Sequence, residues 1–183
     1  MAFKHKDREV AQEEEEVRFG IAYFKALDIH TVLEIGWCYG GFHQLLMDNG
    51  FDVVSVDIDP KPVDIGVHNL LVADSHSMDT LYRIKEMCSR NGGFDLVFID
   101  GDHSYEGCKK DIELYAEFAK KLIVVDDFMV PGVERSCKEL LGYPHIYINT
   151  PVKHCKDCNS WAFYFPKTIG ESFKWPVVDG YRG

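Results

Sequence analysis

The densest run of reactive side chains in this 183-residue chain is Ile99-Asp100-Gly101-Asp102-His103-Ser104-Tyr105-Glu106-Gly107, and an acidic pair, Asp126-Asp127, closes the next apolar run. Carboxylates crowded into one place repel and raise one another's pKa. A hard divalent cation such as Mg²⁺ relieves that repulsion by binding carboxylate oxygens. Asp100, Asp126 and Asp127 are therefore candidate metal ligands. His103 lies three residues beyond Asp100, and an imidazole, with an ordinary pKa of about 6.5, suits a general base. Part of the run has a plainer reading, since Asp102 or Ser104 could cap a helix beginning near Tyr105.

Three further strand ends carry glycines or acids. Glu34-Ile35-Gly36-Trp37-Cys38-Tyr39-Gly40-Gly41 has glycines spaced for a tight turn and close backbone approach to a ligand. A following helix would offer free N–H groups. The G-x-x-x-G-G spacing is neither the dinucleotide fingerprint nor a phosphate loop, and a structural turn is the competing reading. Val56-Asp57-Ile58-Asp59-Pro60 places Asp57 about 20 residues after the glycine turn, where an acid accepts hydrogen bonds from ribose hydroxyls. The alternative is that Asp59-Pro60 starts a turn that Asp57 caps. Ala73-Asp74-Ser75 forms a third polar end.

These residues need elements to hold them. Val10, Val17, Ile21 and Phe24 share one face of a helix over 9–28, with Glu13 to Glu16 on its solvated side. Strands are then predicted at Thr31 to Ile35, Asp52 to Val56, Leu70 to Ala73, Phe94 to Ile99 and Leu122 to Val125. They alternate with helices over 41–49, 77–90, 104–120 and 132–141, and strands at His145 to Asn149 and Trp161 to Phe165 follow. Alternation of this kind means βαβ units and a mostly parallel sheet, with ligands at the carboxyl ends of its strands. Every residue singled out above falls at such an end.

The whole chain carries 30 acidic and 20 Lys or Arg residues, a net charge of −10, which argues against nucleic acid as a partner. With 46% hydrophobic residues the chain is long enough for one sizeable core, a single domain over 1–183. No apolar run approaches the ~20 residues of a membrane span, and MAFKHKDREVAQEEEE lacks the apolar stretch of a signal peptide. The expectation is a cytoplasmic protein with no membrane partner. Its six cysteines are then free thiols.

Taken together, E-I-G-x-x-x-G-G, the acidic end of the second strand, A-D-S, I-D-G-D-H-S-Y-E-G and V-D-D-F resemble the class I S-adenosylmethionine-dependent methyltransferases in order and spacing. The resemblance covers roughly 30–140. The I-D-G-D-H-S-Y-x-G-x-x-x-D stretch, ending at Asp111, points to the small-molecule, macrocin-type O-methyltransferase branch. It implies a three-layer α/β Rossmann-like fold, with a mostly parallel seven-stranded sheet whose last strand is antiparallel. A helix over 1–28 would precede the cofactor-binding core of 30–140, and final strands and a tail would fill 141–183. S-adenosyl-L-methionine would be the cofactor. Glu34, Gly36 and Gly40 would shape the pocket for its methionine part, Asp57, with Ile58 beside it, would hold the ribose, and Asp74 and Ser75 would lie near the adenine. Asp100, Asp126 and Asp127 would bind the metal, Asp100 also facing the cofactor, and His103 would be the catalytic base. The acceptor would be a small hydroxylated molecule. With little chain left to cover it, the acceptor site is either open or completed by a second subunit in a homo-oligomer. A lyase or hydrolase acting on the cofactor, or a non-catalytic S-adenosylmethionine-binding module, are the alternatives.

Some residues stay open at this level. Trp37 and Tyr39 pack on the cofactor or on the sheet. Trp161, Phe163 and Phe165 alternate, as the buried face of a final strand does. Phe128, Trp175 and Tyr181 could line an acceptor pocket. Cys155-x-x-Cys158 is half of a zinc site, with His145 or His154 as further ligands, or an unliganded loop.

Overall fold

In a computed structural model the described residues are 3–61, 69–149 and 160–166. The expected architecture holds. Seven strands form one sheet in the order β5-β4-β3-β6-β7-β9-β8: β3 (Thr31–Ile35), β4 (Asp52–Asp57), β5 (Leu70–Val72), β6 (Phe94–Ile99), β7 (Ala119–Val125), β8 (Ile146–Asn149) and β9 (Ser160–Tyr164). Six run parallel, and the last in sequence, β9, is antiparallel to both its neighbours. Helices α1 (Glu14–Ala26) and α2 (Gly41–Asp48) cover one face, and α3 (Met78–Asn91), α4 (Tyr105–Tyr115) and α5 (Pro131–Leu140) the other.

The core follows the layers. Leu33, Ile35, Val97, Ile99, Ile123 and Val125 point toward α3, α4 and α5, while Val32, Leu96, Phe98, Leu122, Val124 and Phe163 point toward α1 and α2. All six residues of β6 are buried, as expected of a continuous apolar run covered on both faces. Trp161 and Phe163 are fully buried, but so are Ala162 and Tyr164 on the opposite face, so β9 is a central strand rather than a half-exposed one. Trp161 stacks on Phe24 of α1 and meets Phe42 and Phe98 edge-on.

Two elements differ from expectation. The stretch read as the start of a helix at residue 9 is a two-stranded hairpin, β1 (Phe3–His5) and β2 (Arg8–Val10), and α1 begins only at Glu14. The helix expected over 104–120 stops at Tyr115. A 3-10 turn, Ala116–Phe118, follows, and Ala119 already pairs with Phe94. Ala119 is buried, as its helical spacing demanded, but as a strand residue. No described helix is long and apolar enough to cross a membrane. His154, Cys155, Cys158, Trp175 and Tyr181 lie outside the described residues.

Candidate active site

Register builds the site. Ile35 pairs with Val56 on one side and Ile99 on the other, and Ile99 pairs with Val125. The next residues, Gly36, Asp57, Asp100 and Asp126, therefore stand in a row across four neighbouring strands. The backbone ladder continues one step into this row. The Gly36 N–H donates to the Val56 carbonyl (2.8 Å), that of Asp100 to Ile35 (2.8 Å) and that of Asp126 to Ile99 (2.9 Å). Strand order reverses between β3 and β6, the switch point where open α/β sheets bind ligands.

A cavity of about 570 Å³ opens over this point, within the range of small-molecule sites. Of the residues expected to form a site, Gly36, Asp57, Ile58, Asp74, Ser75, Asp100 and His103 line it. Gly36 has φ +94°, and a Cβ there would overlap the carbonyl oxygen of Asp100. Only glycine combines that backbone with that approach.

Asp57 does turn work. Its Oδ2 accepts the N–H groups of Trp37 (2.8 Å) and Cys38 (2.9 Å), and its Oδ1 accepts that of Asp59 (2.7 Å). One carboxylate thus ties the glycine turn to the end of β4, and the cap reading of Asp57 is correct for these atoms. Cys38, at φ +50°, is held left-handed by this arrangement.

Three expected pocket residues are not among those lining the cavity. Glu34 is buried on the α2 side, where it accepts a hydrogen bond from the Ser55 hydroxyl and lies 3.5 Å from His43 Nδ1. Burial pushes its carboxyl up, opposed by His43. The Trp37 ring is buried beneath Gly40, which has φ +71°, with the Arg8 guanidinium 5.5 Å away. Gly40 thus makes room for Trp37.

Asp102 of the reactive run also lines the cavity, as do Ala11, Cys38, Lys61 and His76, which were not foreseen. His76 directly follows Asp74-Ser75, which was a usable signal. Below it, the buried Asp111 accepts from the Ser75 hydroxyl (2.8 Å) and lies 3.1 Å from His76 Nε2. Burial pushes the Asp111 carboxyl up. Ser104, not Asp102, caps α4 by accepting the Gly107 N–H, while Asp102 accepts the Ser104 N–H.

The acidic cluster forms around His103. Its Nε2 lies 3.2 Å from Asp100 Oδ1 and its Nδ1 3.2 Å from Asp127 Oδ2. The bond to Asp100 pushes the imidazole up to about 9, against the opposing effect of burial. Burial raises the Asp100 carboxyl and His103 lowers it. Asp126 is driven well above the ordinary carboxylate range by burial, then by the charges of Asp100, Asp127 and Glu16. Asp127, at φ +52°, donates its N–H to Asp126 Oδ1 (2.7 Å). These oxygen donors suit a hard cation in chemistry. As placed, His103 stands between Asp100 and Asp127, and no three His, Cys, Asp or Glu side chains among the described residues converge as a metal-binding group.

Known proteins share this fold. An O-methyltransferase from Bacillus cereus, solved in complex with S-adenosylhomocysteine, superposes with a TM-score of 0.61 at 18% identity over 85% of this chain and 82% of that one. The MycE methyltransferase of the mycinamycin biosynthetic pathway, solved with Mg, S-adenosylhomocysteine and mycinamycin VI, gives 0.54 at 18% identity over 87% of this chain and 50% of that one. At these identities the likeness concerns the fold. An uncharacterized protein of Acanthamoeba polyphaga mimivirus is 30% identical over 115 residues, 54% of this chain and 51% of its own, so the chain spans about half the length of this curated relative. The family model described as "Methyltransferase domain" matches residues 33–128, from within β3 through the glycine turn, Asp57, Asp100 and His103 to the acidic pair after β7. That is more than half of the chain, and the chain belongs to this methyltransferase family.

Proposed function

We propose that the chain transfers the methyl group of S-adenosylmethionine to a hydroxyl of a small molecule. The observation that carries this is the cavity running from Asp74 and Ser75 past Asp57 and Gly36 to Asp100 and His103. It follows the strand ends in the order expected for adenine, ribose, methionine and acceptor. The cofactor would supply the transferable methyl on its sulfonium. Gly36 gives the backbone approach, the free N–H groups at the α2 N-terminus face the same turn, and the remaining lone pairs of Asp57 would take ribose hydroxyls.

At the acceptor end, His103 is the proposed base. Without a metal, its place between two carboxylates keeps it protonated at neutral pH. In the metal-free protein the form able to accept a proton therefore grows as pH rises through about 9, and a cation taking up the Asp100 and Asp127 charges would lower that point. Asp100, Asp126 and Asp127 would hold Mg²⁺, whose chemistry there is to lower the pKa of an acceptor hydroxyl. The carboxylate donors, and the Mg with which the MycE methyltransferase was solved, support this. A cytoplasmic setting, in keeping with the free thiols at Cys38, Cys88, Cys108 and Cys137, and an acceptor site either open or completed by a second subunit belong to the same proposal.

Calorimetry with S-adenosylhomocysteine and transfer of labelled methyl to a panel of hydroxylated compounds test it. His103→Ala is expected to cut turnover by about 100-fold, the usual worth of a positioned base, while the affinity for S-adenosylhomocysteine stays within about twofold. Chelation with EDTA is expected to remove at least about 90% of turnover, and added Mg²⁺ to restore it. Full activity in EDTA would overturn the metal assignment, and no binding of S-adenosylhomocysteine would overturn the function.

A further inference from the structure

The N-terminal hairpin does more than decorate the fold. It is anchored on α2, where His5 Nε2 and Lys6 Nζ each lie 2.7 Å from the Asp48 carboxylate. Gly41, the first residue of α2, lacks a Cβ where the Glu9 carbonyl oxygen passes. From this seat the chain runs along the cavity, and Ala11 forms part of its wall. The next residue, Gln12, is only 6% exposed. Its Nε2 donates to Asp100 Oδ2 at 2.5 Å, while Asp100 Oδ1 faces His103. Both oxygens of the carboxylate at the switch point are thus directed, Oδ2 by Gln12 and Oδ1 by His103.

Gln12 fits this place for a chemical reason. An amide N–H offers Asp100 a donor without adding charge to a cluster that already holds Asp126, Asp127 and Glu16. A Lys would compete as a cation, and a Glu would repel. The second amide atom, Oε1, is buried and has no hydrogen-bond partner among the described residues. Leaving a buried acceptor unpaired is costly. Nothing in the packing of the described residues offsets that cost, so the side chain is held by its bond to Asp100, which does line the cavity.

We infer that Gln12 is a positioning residue of the cofactor site. It sets the orientation of Asp100 and couples the seating of the N-terminal segment to ligand binding in the cavity. This rests on the proposed function.

The test compares Gln12→Met, which keeps the length and shape without the amide, with Gln12→Ala in the full chain. The measurements are S-adenosylhomocysteine affinity by calorimetry, thermal melting, and KM for S-adenosylmethionine against kcat. The expected result is a Kd about 10-fold weaker in both variants, with the KM for the cofactor raised and the KM for the acceptor unchanged. Gln12→Met should melt within about 2 °C of wild type, which separates the loss from a folding defect. Wild-type affinity and KM in Gln12→Met would overturn the inference and show that Gln12 only fills space. If the unaltered protein fails to bind S-adenosylhomocysteine, the methyltransferase reading falls first and the inference with it.

Discussion

Gly36→Ala is expected to weaken S-adenosylhomocysteine binding by at least about 100-fold and to abolish measurable methyl transfer. Two costs meet at this position. The backbone sits at φ +94°, which charges an L-residue about 1–2 kcal/mol. The added Cβ would also overlap the carbonyl oxygen of Asp100. That atom cannot swing aside like a side-chain tip. It belongs to the residue whose N–H is bonded to the Ile35 carbonyl and whose side chain meets His103 and Gln12. Relief therefore means parting the ends of β3 and β6 at the mouth of the cavity.

Gly50 supplies the control, because it has nearly the same φ, +92°, and a Cβ added there would meet nothing within 4 Å. Gly50→Ala should lower the melting temperature by a few degrees, about the worth of the conformational cost alone, and leave S-adenosylhomocysteine affinity unchanged. Calorimetry on the two variants separates strain from crowding. Equal affinity in Gly36→Ala and wild type would show that the β3–β6 approach is not the cofactor's seat.

The ease with which this site could be read from sequence varies with how local its causes are. FDLVFI could only be a strand buried on both faces, and the spacing from Tyr105 to Tyr115 could only be an amphipathic helix. The loop between them, with Asp100 and His103, was fixed once both were recognised. Glu34 was misplaced although the signal existed. Side chains alternate along a strand, and Glu34 shares a face with Val32, which packs toward α1 and α2, while Leu33 and Ile35 face the other layer. Period-2 reasoning would have turned it toward His43 and away from the cavity.

The hairpin gave no such signal. Its two-residue turn is Lys6-Asp7, both with positive φ, where Asn-Gly or Asp-Gly would have announced it. Gln12 was therefore hidden behind an unrecognised turn. Its bond to Asp100 spans 88 positions, a distance over which no periodicity reaches.

Asp126→Asn is expected to make the metal-free protein more stable while removing at least about 99% of its activity. Asp126 is 6% exposed and surrounded by the charges of Asp100, Asp127 and Glu16. Its carboxyl is raised well above its unfolded value, so the folded state holds the proton more tightly than the unfolded state does. The sign follows by linkage. The stability contributed by this group is full below the unfolded value of about 3.8 and is lost as pH rises through the folded one. At neutral pH this side chain is thus a net cost to folding, whether it stays ionised or takes up a proton. Asn removes the charge and keeps an Oδ1 able to accept the Asp127 N–H, so the left-handed turn at Asp127 survives. A gain on the order of 1 kcal/mol corresponds to a melting temperature about 3 °C higher in a chain of this size. The gain should shrink as pH falls toward 4, because the carboxyl is then increasingly protonated in the unfolded chain as well. Melting curves in EDTA at pH 7 and at mildly acidic pH check this directly. A lower melting temperature for Asp126→Asn at pH 7 would show that its carboxylate is a structural anchor. A higher one together with lost turnover would mean that the chain holds an unfavourable carboxyl where the reaction needs it, which is how function, rather than folding, keeps an aspartate at the end of β7.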